Sequence, residues 1–125
     1  MISHIDHLVI TTRSINPCIE FYSPVLGMKV ETFGEGRKAL IFGQQKINVH
    51  EYGNEIDPKA HRPVPGSLDI CLISVKPLDA VKATLQQNSI NIELGPIKRT
   101  GARGAIESLY VRDPDLNLIE ISCYV

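Results

Sequence analysis

The stretch LYVRDPDLNLIEIS, from Leu109 to Ser122, decides the fold that we expect for this chain of 125 residues. It predicts a strand, a tight turn at Asp113 and Pro114, and a second strand, because apolar and β-branched runs flank residues that favour turns. Glu120 lies inside the apolar run of the second strand. A buried, unpaired carboxylate is costly, so we expect Glu120 to be hydrogen-bonded, paired with a cation or bound to a metal.

The composition is that of an ordinary globular protein. Hydrophobic residues make up 43% of the chain and charged residues 22%, with a formal net charge of -1, so there is no general attraction to nucleic acid or to anionic membranes. The sequence shows no signal-peptide pattern and no apolar run long enough to span a bilayer. Cys18, Cys71 and Cys123 form no CxxC pair, which is typical of reduced thiols. We expect a cytoplasmic protein without a nucleic-acid or membrane partner.

The first half of the chain predicts one strand, one helix and three further strands. HIDHLVITT, residues 4–12, is a β-branched run consistent with a strand buried on both faces. INPCIEFYSPVLG predicts a helix over about residues 16–26, which Pro24 should kink and Gly27 should end. The segments MKVETFG, RKALIFG and KINVHEYG are punctuated by glycine and predict a β-meander.

The second half repeats this order after a linker. NEIDPKAHRPVPG carries prolines and charges without an apolar period and predicts a surface segment. SLDICLISV predicts a strand, PLDAVKATLQQN a helix over about residues 77–88, and INIELG, AIESLYVRD and NLIEISCYV three more strands. The predicted fold class is α+β: two βαβββ modules, at about residues 1–53 and 66–125 of a single domain, joined by a linker at about 54–65. Because neither small sheet can bury both faces alone, we expect the modules to share one cavity.

Strand alternation places several polar side chains on the faces that would line this cavity. His7 and Asp69 hold matching positions in the first strands of the two modules, and Asn48 of INVH matches Glu120 of IEIS. His50 lies two residues beyond Asn48 on the same face. An imidazole with carboxylates is a ligand set suited to Mn, Fe, Ni, Co or Zn. The alternative is a hydrogen-bonded core histidine with Glu120 as its ion-pair partner and Asp69 as a cap or turn residue.

These motifs together resemble the vicinal oxygen chelate superfamily, which includes glyoxalase I, bleomycin-resistance proteins, fosfomycin-resistance proteins and extradiol dioxygenases. The segments IDHLVITT, FYSPVLGMKV, PGSLDICLIS and YVRDPDLNLIEIS carry the resemblance, which covers nearly the whole chain. It implies a divalent metal bound by His7, Asp69 and Glu120. Two positions depart from the glyoxalase I pattern: Asp69 stands where a histidine is usual, and Asn48 where a glutamate is usual, with His50 as its substitute.

A third departure lies in the turn between the last two strands. The glycine that is usual in the DPDGN turn is Leu116 here. A left-handed backbone is costly for leucine, so we expect this turn to differ slightly.

Further candidates surround the predicted metal. Tyr110 lies where related proteins place a ligand-facing tyrosine, which could bind substrate or act as an acid, although a core aromatic is the alternative. IKRTGARG, residues 97–104, predicts a basic loop whose Arg99 and Arg103 could bind a substrate carboxylate or phosphate, the alternative being a solvated loop. His50 is a second catalytic candidate and Asn48 a substrate-binding candidate. Solvation is the expected role of Arg37 and Lys38, the charged pair that opens RKALIFG.

The resemblance implies several functions, between which the sequence does not decide. The first is a metal-dependent lyase or isomerase of glyoxalase I type, acting on a small oxygenated substrate through an enolate-like intermediate. The second is an extradiol-type dioxygenase, for which His50 would supply the second imidazole. The third is a metal-free protein that binds a small ligand without chemistry, as in the bleomycin-resistance branch. Open sheet edges and the resemblance both predict a homodimer.

Overall fold

The computed structural model describes every residue from Met1 to Val125 and divides the chain into two compact units, Met1–Ser67 and Leu68–Val125. Each unit contains one four-stranded sheet and one βαβββ module, so the predicted α+β fold class is confirmed. None of the helices has both the length and the apolar character that a membrane span requires.

The N-terminal unit contains one mixed sheet. Strand β1 (His7–Thr12) leads to helix α1 (Ile15–Glu20), a π-helical turn (Phe21–Val25) and strands β2 (Lys29–Phe33), β3 (Arg37–Phe42) and β4 (Gln45–Glu51). The sheet order is β1-β4-β3-β2, with β1 parallel to β4 and the other neighbours antiparallel. The helix predicted over residues 16–26 is confirmed. Pro24, which has no N–H to donate, lies within the wider π-helical turn.

The two faces of this sheet differ in polarity. Residues of one face are buried in an apolar core, among them Ile10, Leu40 and Ile47 at 0–2% exposure, and helix α1 contacts β4. His7 and Val9 alternate onto the other face and are exposed. The predicted burial of β1 on both faces is confirmed for Ile10, Thr11 and Thr12 and is wrong for His7 and Val9.

The C-terminal unit repeats the arrangement. Strand β5 (Asp69–Ile73) is followed by helix α2 (Leu78–Gln87) and strands β6 (Leu94–Gly101), β7 (Gly104–Arg112) and β8 (Leu118–Tyr124), in the sheet order β5-β8-β7-β6. Strand β5 is parallel to β8, while β6, β7 and β8 pair antiparallel. The apolar face of this sheet and the helix bury Leu85, Leu109, Val111 and Ile119 completely.

Strand β6 differs in two respects from what the sequence predicted. The strand predicted at INIELG begins only at Leu94, and the segment IKRTGARG is not a loop but most of β6 and its hairpin turn to β7. Because β6 is an edge strand, its charged residues are solvated and mimic a loop in the sequence. Glycine is required at Gly101 in this turn, since a Cβ there would lie 2.9 Å from a side-chain carbon of Ile106.

The DPDLN turn between β7 and β8 is held by side chains. Asp113 Oδ1 accepts the backbone N–H groups of Asp115 and Asn117, each at 2.9 Å, so Asp113 caps the turn that was predicted at this position. Asn117 donates to Asp113 Oδ2 at 2.8 Å and accepts the N–H of Leu68 at 2.8 Å. Leu116 adopts a φ of 70°. Leu116 thus takes the left-handed conformation whose cost led us to expect a slightly different turn, and these hydrogen bonds hold the backbone in place.

Candidate functional site

The carboxylate of Glu120 lies on the polar face of the C-terminal sheet, beside two serine hydroxyls. Ser108 Oγ donates to Glu120 Oε2 at 2.6 Å, Ser122 Oγ donates to the same oxygen at 3.4 Å, and the two hydroxyls are 2.6 Å apart. Glu120 is half-buried, whereas both serines are fully buried. Within the chain, hydroxyl donors are therefore what stabilises a carboxylate in an apolar strand. Both hydroxyl oxygens lie on the Oε2 side of the carboxylate, which leaves Oε1 available to a ligand.

Cys71 adjoins this cluster from β5. It is the Cα partner of Glu120, and its Sγ lies 3.3 Å from Ser122 Oγ. Cys71 is exposed overall, yet partial desolvation raises the pKa of its thiol above the ordinary value; the Ser122 hydroxyl opposes this effect and the Glu120 carboxylate adds to it. A raised pKa keeps the sulfur protonated, so Cys71 is unsuited to be a nucleophile at neutral pH.

Tyr110 lies directly across from Glu120 on β7. Arg99 Nε donates to the Tyr110 hydroxyl at 3.0 Å, and the Arg99 guanidinium lies 5.5 Å from the centre of the tyrosine ring. The structure therefore brings Glu120, Tyr110 and Arg99 to one part of the sheet.

Arg103 lies elsewhere on the sheet. Its guanidinium is 4.5 Å from the ring centre of Tyr124, and its backbone N–H donates to the Tyr124 hydroxyl at 3.2 Å. Tyr124 is four residues beyond Glu120 on β8, which corresponds to about 13 Å along a strand. Arg103 is thus separated from the group of three.

Asp69 begins β5 and is exposed. Its Cα partner is Leu118, two residues before Glu120 on β8. The pKa of the nearby Arg112 is raised chiefly because Arg112 donates two hydrogen bonds to the Glu93 carboxylate, at 3.0 and 3.1 Å. The negative charge of Asp69 raises this pKa a little further. Asp69 is therefore one diagonal step from Glu120 and accessible to solvent.

His7 begins β1 with its side chain 44% exposed. Its Nδ1 lies 2.8 Å from a carboxylate oxygen of Asp6, and this hydrogen bond lowers the pKa of Asp6. The Nδ1 contact leaves Nε2 free. Histidines that bind metals usually donate their second ring N–H to a carboxylate, which fixes the ring and the tautomer. The Asp6–His7 pair is an arrangement of that kind.

Asn48 and His50 lie side by side on β4, on the same face as His7. Their Cα partners on β1 are Val9 and Thr11, and the two side chains are only 6% and 8% exposed. Asn48 pairs with the third residue of β1 as Glu120 pairs with the third residue of β5, so the predicted equivalence of Asn48 and Glu120 is confirmed.

The imidazole of His50 is kept neutral by its surroundings. Burial lowers its pKa, the positive charge of Arg37 lowers it further, and the carboxylate of Glu55 opposes the shift. A neutral imidazole has one nitrogen that donates and one that accepts, so it can serve as a base or as a neutral ligand.

The donor chemistry of His7 and Glu120 fits a divalent metal, because each offers a free atom and each is oriented by a neighbour. Within this chain, however, no three His, Cys, Asp or Glu side chains form a group that could hold a metal ion. The ligand set of His7, Asp69 and Glu120 stays a prediction.

Sequence reasoning missed the residues that orient or accompany these ligands. Asp6, Ser108 and Arg37 received no functional role. A signal existed for Ser108, because AIESLYV and LIEISCY each place a serine on an otherwise apolar strand, and the registers bring Ser108 opposite Ser122. For Arg37 no comparable sequence signal exists, since a charged residue after a hairpin glycine is usually solvated.

Two βαβββ modules, each with a four-stranded mixed sheet, match the glyoxalase-like class of fold. The family model described as the Glyoxalase/Bleomycin resistance protein/Dioxygenase superfamily matches residues 4–121. The chain belongs to this family, and the resemblance found in its motifs is confirmed.

Several relatives are similar over most of their length. The virulence protein STM3117 of Salmonella typhimurium is 54% identical over 125 residues, covering 100% of this chain and 87% of the relative, and its crystal structure superposes with a TM-score of 0.98. The glyoxalase domain-containing protein RDO1 of Mycosarcoma maydis is 52% identical over 120 residues, covering 96% of this chain and 68% of the relative. Lactoylglutathione lyase of Agrobacterium tumefaciens, 18% identical, shares the fold with a TM-score of 0.74 and coverage of 98% and 95%.

Proposed function

We propose that this protein is a metal-dependent lyase or isomerase of glyoxalase type that acts on a small oxygenated substrate. The observation that carries the proposal is the matched orientation of two ligands. Asp6 holds the imidazole of His7 with Nε2 free, and Ser108 holds the carboxylate of Glu120 with Oε1 free. A carboxylate oriented by hydroxyls and an imidazole oriented by a carboxylate are the arrangements that metal sites use.

His7 and Glu120 would hold the metal, with Asp69 or His50 completing the protein ligands. Nitrogen and oxygen donors of this kind suit Ni, Zn, Mn, Fe or Co. Such an ion, when bound, stabilises negative charge that develops on adjacent substrate oxygens.

The remaining candidates would supply proton transfer and substrate binding. Tyr110 would donate its hydroxyl proton to the substrate, and Arg99, which already donates to that hydroxyl, would stabilise the phenolate that remains. Neutral His50 would accept a proton at a ring nitrogen, and Asn48 beside it would hydrogen-bond the substrate. Arg103, at the hairpin turn, would attract an anionic substrate by its charge.

We further propose that a homodimer completes the metal site, with His7 of one subunit and Glu120 of the other bound to the same ion. No sufficient ligand group exists within one chain, and each four-stranded sheet has two edge strands that a partner could cover.

A mixing experiment tests this arrangement. His7→Ala and Glu120→Gln variants should each lack bound metal, yet a refolded mixture should recover it, because mixed dimers contain one intact site. His61→Ala in the linker and Glu107→Gln on β7 are matched controls that should bind metal normally. If the mixture stays metal-free, the two ligands do not come from different subunits.

The activity is tested by assaying the metal-loaded protein for lactoylglutathione formation, and for oxygen consumption with catechol. Lyase activity that is lost in Glu120→Gln and retained in Glu107→Gln supports the proposal. Oxygen consumption with an iron-loaded protein indicates the dioxygenase instead. Wild-type protein that is purified without chelators and still contains no metal contradicts both enzymatic functions and favours a ligand-binding protein.

A further inference from the structure

Three buried polar atoms of the N-terminal unit have no hydrogen-bond partner: Arg37 Nε, Asn48 Oδ1 and His50 Nε2. Folded proteins satisfy the great majority of their buried polar groups, because an unsatisfied group keeps the full cost of its desolvation. Asn48 and His50 are more than nine-tenths buried. Three such atoms in one 67-residue unit therefore require an explanation.

The three atoms belong to one face of one sheet. Asn48 and His50 are two residues apart on β4 and so project to the same side. Lys38 pairs with Val49 in the antiparallel register of β3 and β4, which places Arg37 beside His50 on that side. The effect of the Arg37 charge on His50 agrees with this placement. The three side chains thus hold neighbouring positions on one face, and no hydrogen bond joins them.

Arg37 and Lys46 bring positive charge to this face, which also carries the carboxylate of Glu31. The Arg37 guanidinium lies 4.6 Å from the ring centre of Phe33, and the ammonium group of Lys46 lies 4.5 Å from the same ring. Arg37 forms no salt bridge. A guanidinium with a buried donor and no carboxylate partner favours an anion, and its planar fork matches a carboxylate.

The two other unsatisfied atoms, on Asn48 and His50, indicate which further groups the ligand must carry. Asn48 Oδ1 only accepts hydrogen bonds, so the ligand must present a donor there, which a carboxylate alone cannot do. His50 Nε2 can complement either a donor or an acceptor, depending on the tautomer. A hydroxyl next to a carboxylate supplies both requirements within a few ångströms.

We propose that Arg37, Asn48 and His50 form a binding site for a small 2-hydroxycarboxylate, with the carboxylate on Arg37 and the hydroxyl on Asn48. This inference names the substrate class of the proposed enzyme, and it rests on the proposed function only in calling the ligand a substrate. Binding itself uses residues of the N-terminal unit and requires no metal.

The test uses the metal-free full chain in the presence of a chelator, titrated with sodium glycolate, sodium acetate or ethylene glycol and followed by ¹H–¹⁵N NMR. Glycolate should shift the amides of Arg37, Asn48 and His50, and should bind about tenfold more tightly than acetate, which lacks the donor. Ethylene glycol, which lacks the charge, should bind more weakly still.

Two variants and one control assign the contacts. Arg37→Met should lose at least about tenfold in glycolate affinity, whereas Lys38→Met, the neighbouring residue on the opposite face of β3, should bind as the wild type does. Asn48→Leu should bind glycolate and acetate equally, and it carries the test if Arg37→Met does not fold. Absence of glycolate shifts at these amides, equal affinity for the three probes in the wild type, or unchanged binding in Arg37→Met overturns the proposal.

The result separates this proposal from the metal-dependent function. If the protein binds glycolate but never binds metal, the proposed hydroxycarboxylate site is supported and the proposed metal-dependent enzyme is contradicted. Metal binding at His7 and Glu120 without glycolate binding would do the reverse.

Discussion

The two modules place different chemistry at the same three positions. The strand registers make Asn48 equivalent to Glu120, and His50 equivalent to Ser122. Arg37 lies beside His50 on β3 as Ser108 lies beside Ser122 on β7, so Arg37 and Ser108 are equivalent as well. In the C-terminal unit the three side chains hydrogen-bond one another at 2.6–3.4 Å. In the N-terminal unit the corresponding three each retain an unsatisfied buried atom.

The two clusters therefore differ in what they offer to a ligand. The serines of the C-terminal cluster fix Glu120 in advance, so a ligand that binds its free oxygen meets a carboxylate that is already positioned. The three buried atoms of the N-terminal cluster have no hydrogen-bond partner within the chain, and unsatisfied groups of this kind lower the stability of binding sites in the free protein. The C-terminal sheet thus presents a carboxylate that is already positioned, whereas the N-terminal sheet presents polar atoms that lack hydrogen-bond partners.

The largest effect should come from Asp6. In Asp6→Ala the imidazole of His7 loses its hydrogen-bond partner, so we expect the affinity for a divalent metal to fall about 10–100-fold, the usual effect of removing such a partner. Competition with a fluorescent chelator measures this affinity. Asp79→Ala, at an exposed acidic residue on helix α2, is the control, and equal losses in the two variants would show that the effect is not local.

Ser108→Ala should destabilise the protein by about 2 kcal/mol, because it removes a hydrogen bond to a carboxylate in a buried setting. Urea denaturation measures the change in the free energy of unfolding. In a double-mutant cycle with Glu120→Gln the two effects should not add. Additive effects would mean that the serine does not act through the glutamate.

Asn48→Leu should have the opposite sign. It replaces an unsatisfied buried amide by an apolar side chain of similar size, so we expect the ligand-free protein to gain about 1 kcal/mol. The same substitution at Asn117, whose amide is fully buried and hydrogen-bonded at 2.8 Å on both sides, should destabilise the protein. A loss of stability in Asn48→Leu would remove the contrast between the two faces.

The smallest effect is a pH dependence that comes from His50. Burial and Arg37 hold its folded pKa below the unfolded value, which is about 6.5, so the unfolded state binds more protons. The contribution to stability is present above the unfolded pKa and is lost as the pH falls through the folded one. The free energy of unfolding should therefore decrease between about pH 7 and pH 5, and should decrease less in His50→Gln. Identical profiles for the two proteins would contradict this assignment.

The fold was predictable because its signals are local. Glycines, strand alternation and the helical period predicted both modules, and the internal repeat predicted the equivalence of Asn48 and Glu120. Strand β6 was partly missed because an exposed edge strand shares its composition with a loop. The exposure of Val9 was missed because a β-branched run does not reveal which of its faces a core covers.

The sequence predicted which residues belong to the candidate site, but it did not predict their contacts. His7 and Glu120 stand out because they are polar residues in apolar strands. Their partners do not, because the bond from Ser108 to Glu120 depends on strand register, and the loss of partners at Arg37 depends on the whole environment of a side chain. Spacing along one chain carries neither kind of information.

The most direct test is a crystal structure of the metal-loaded protein with anomalous diffraction measured at the absorption edge of the metal. We predict one ion whose distances to His7 Nε2 and to a Glu120 carboxylate oxygen are each about 2.0–2.2 Å. An ion bound elsewhere, or distances beyond about 2.6 Å to both residues, would contradict this prediction.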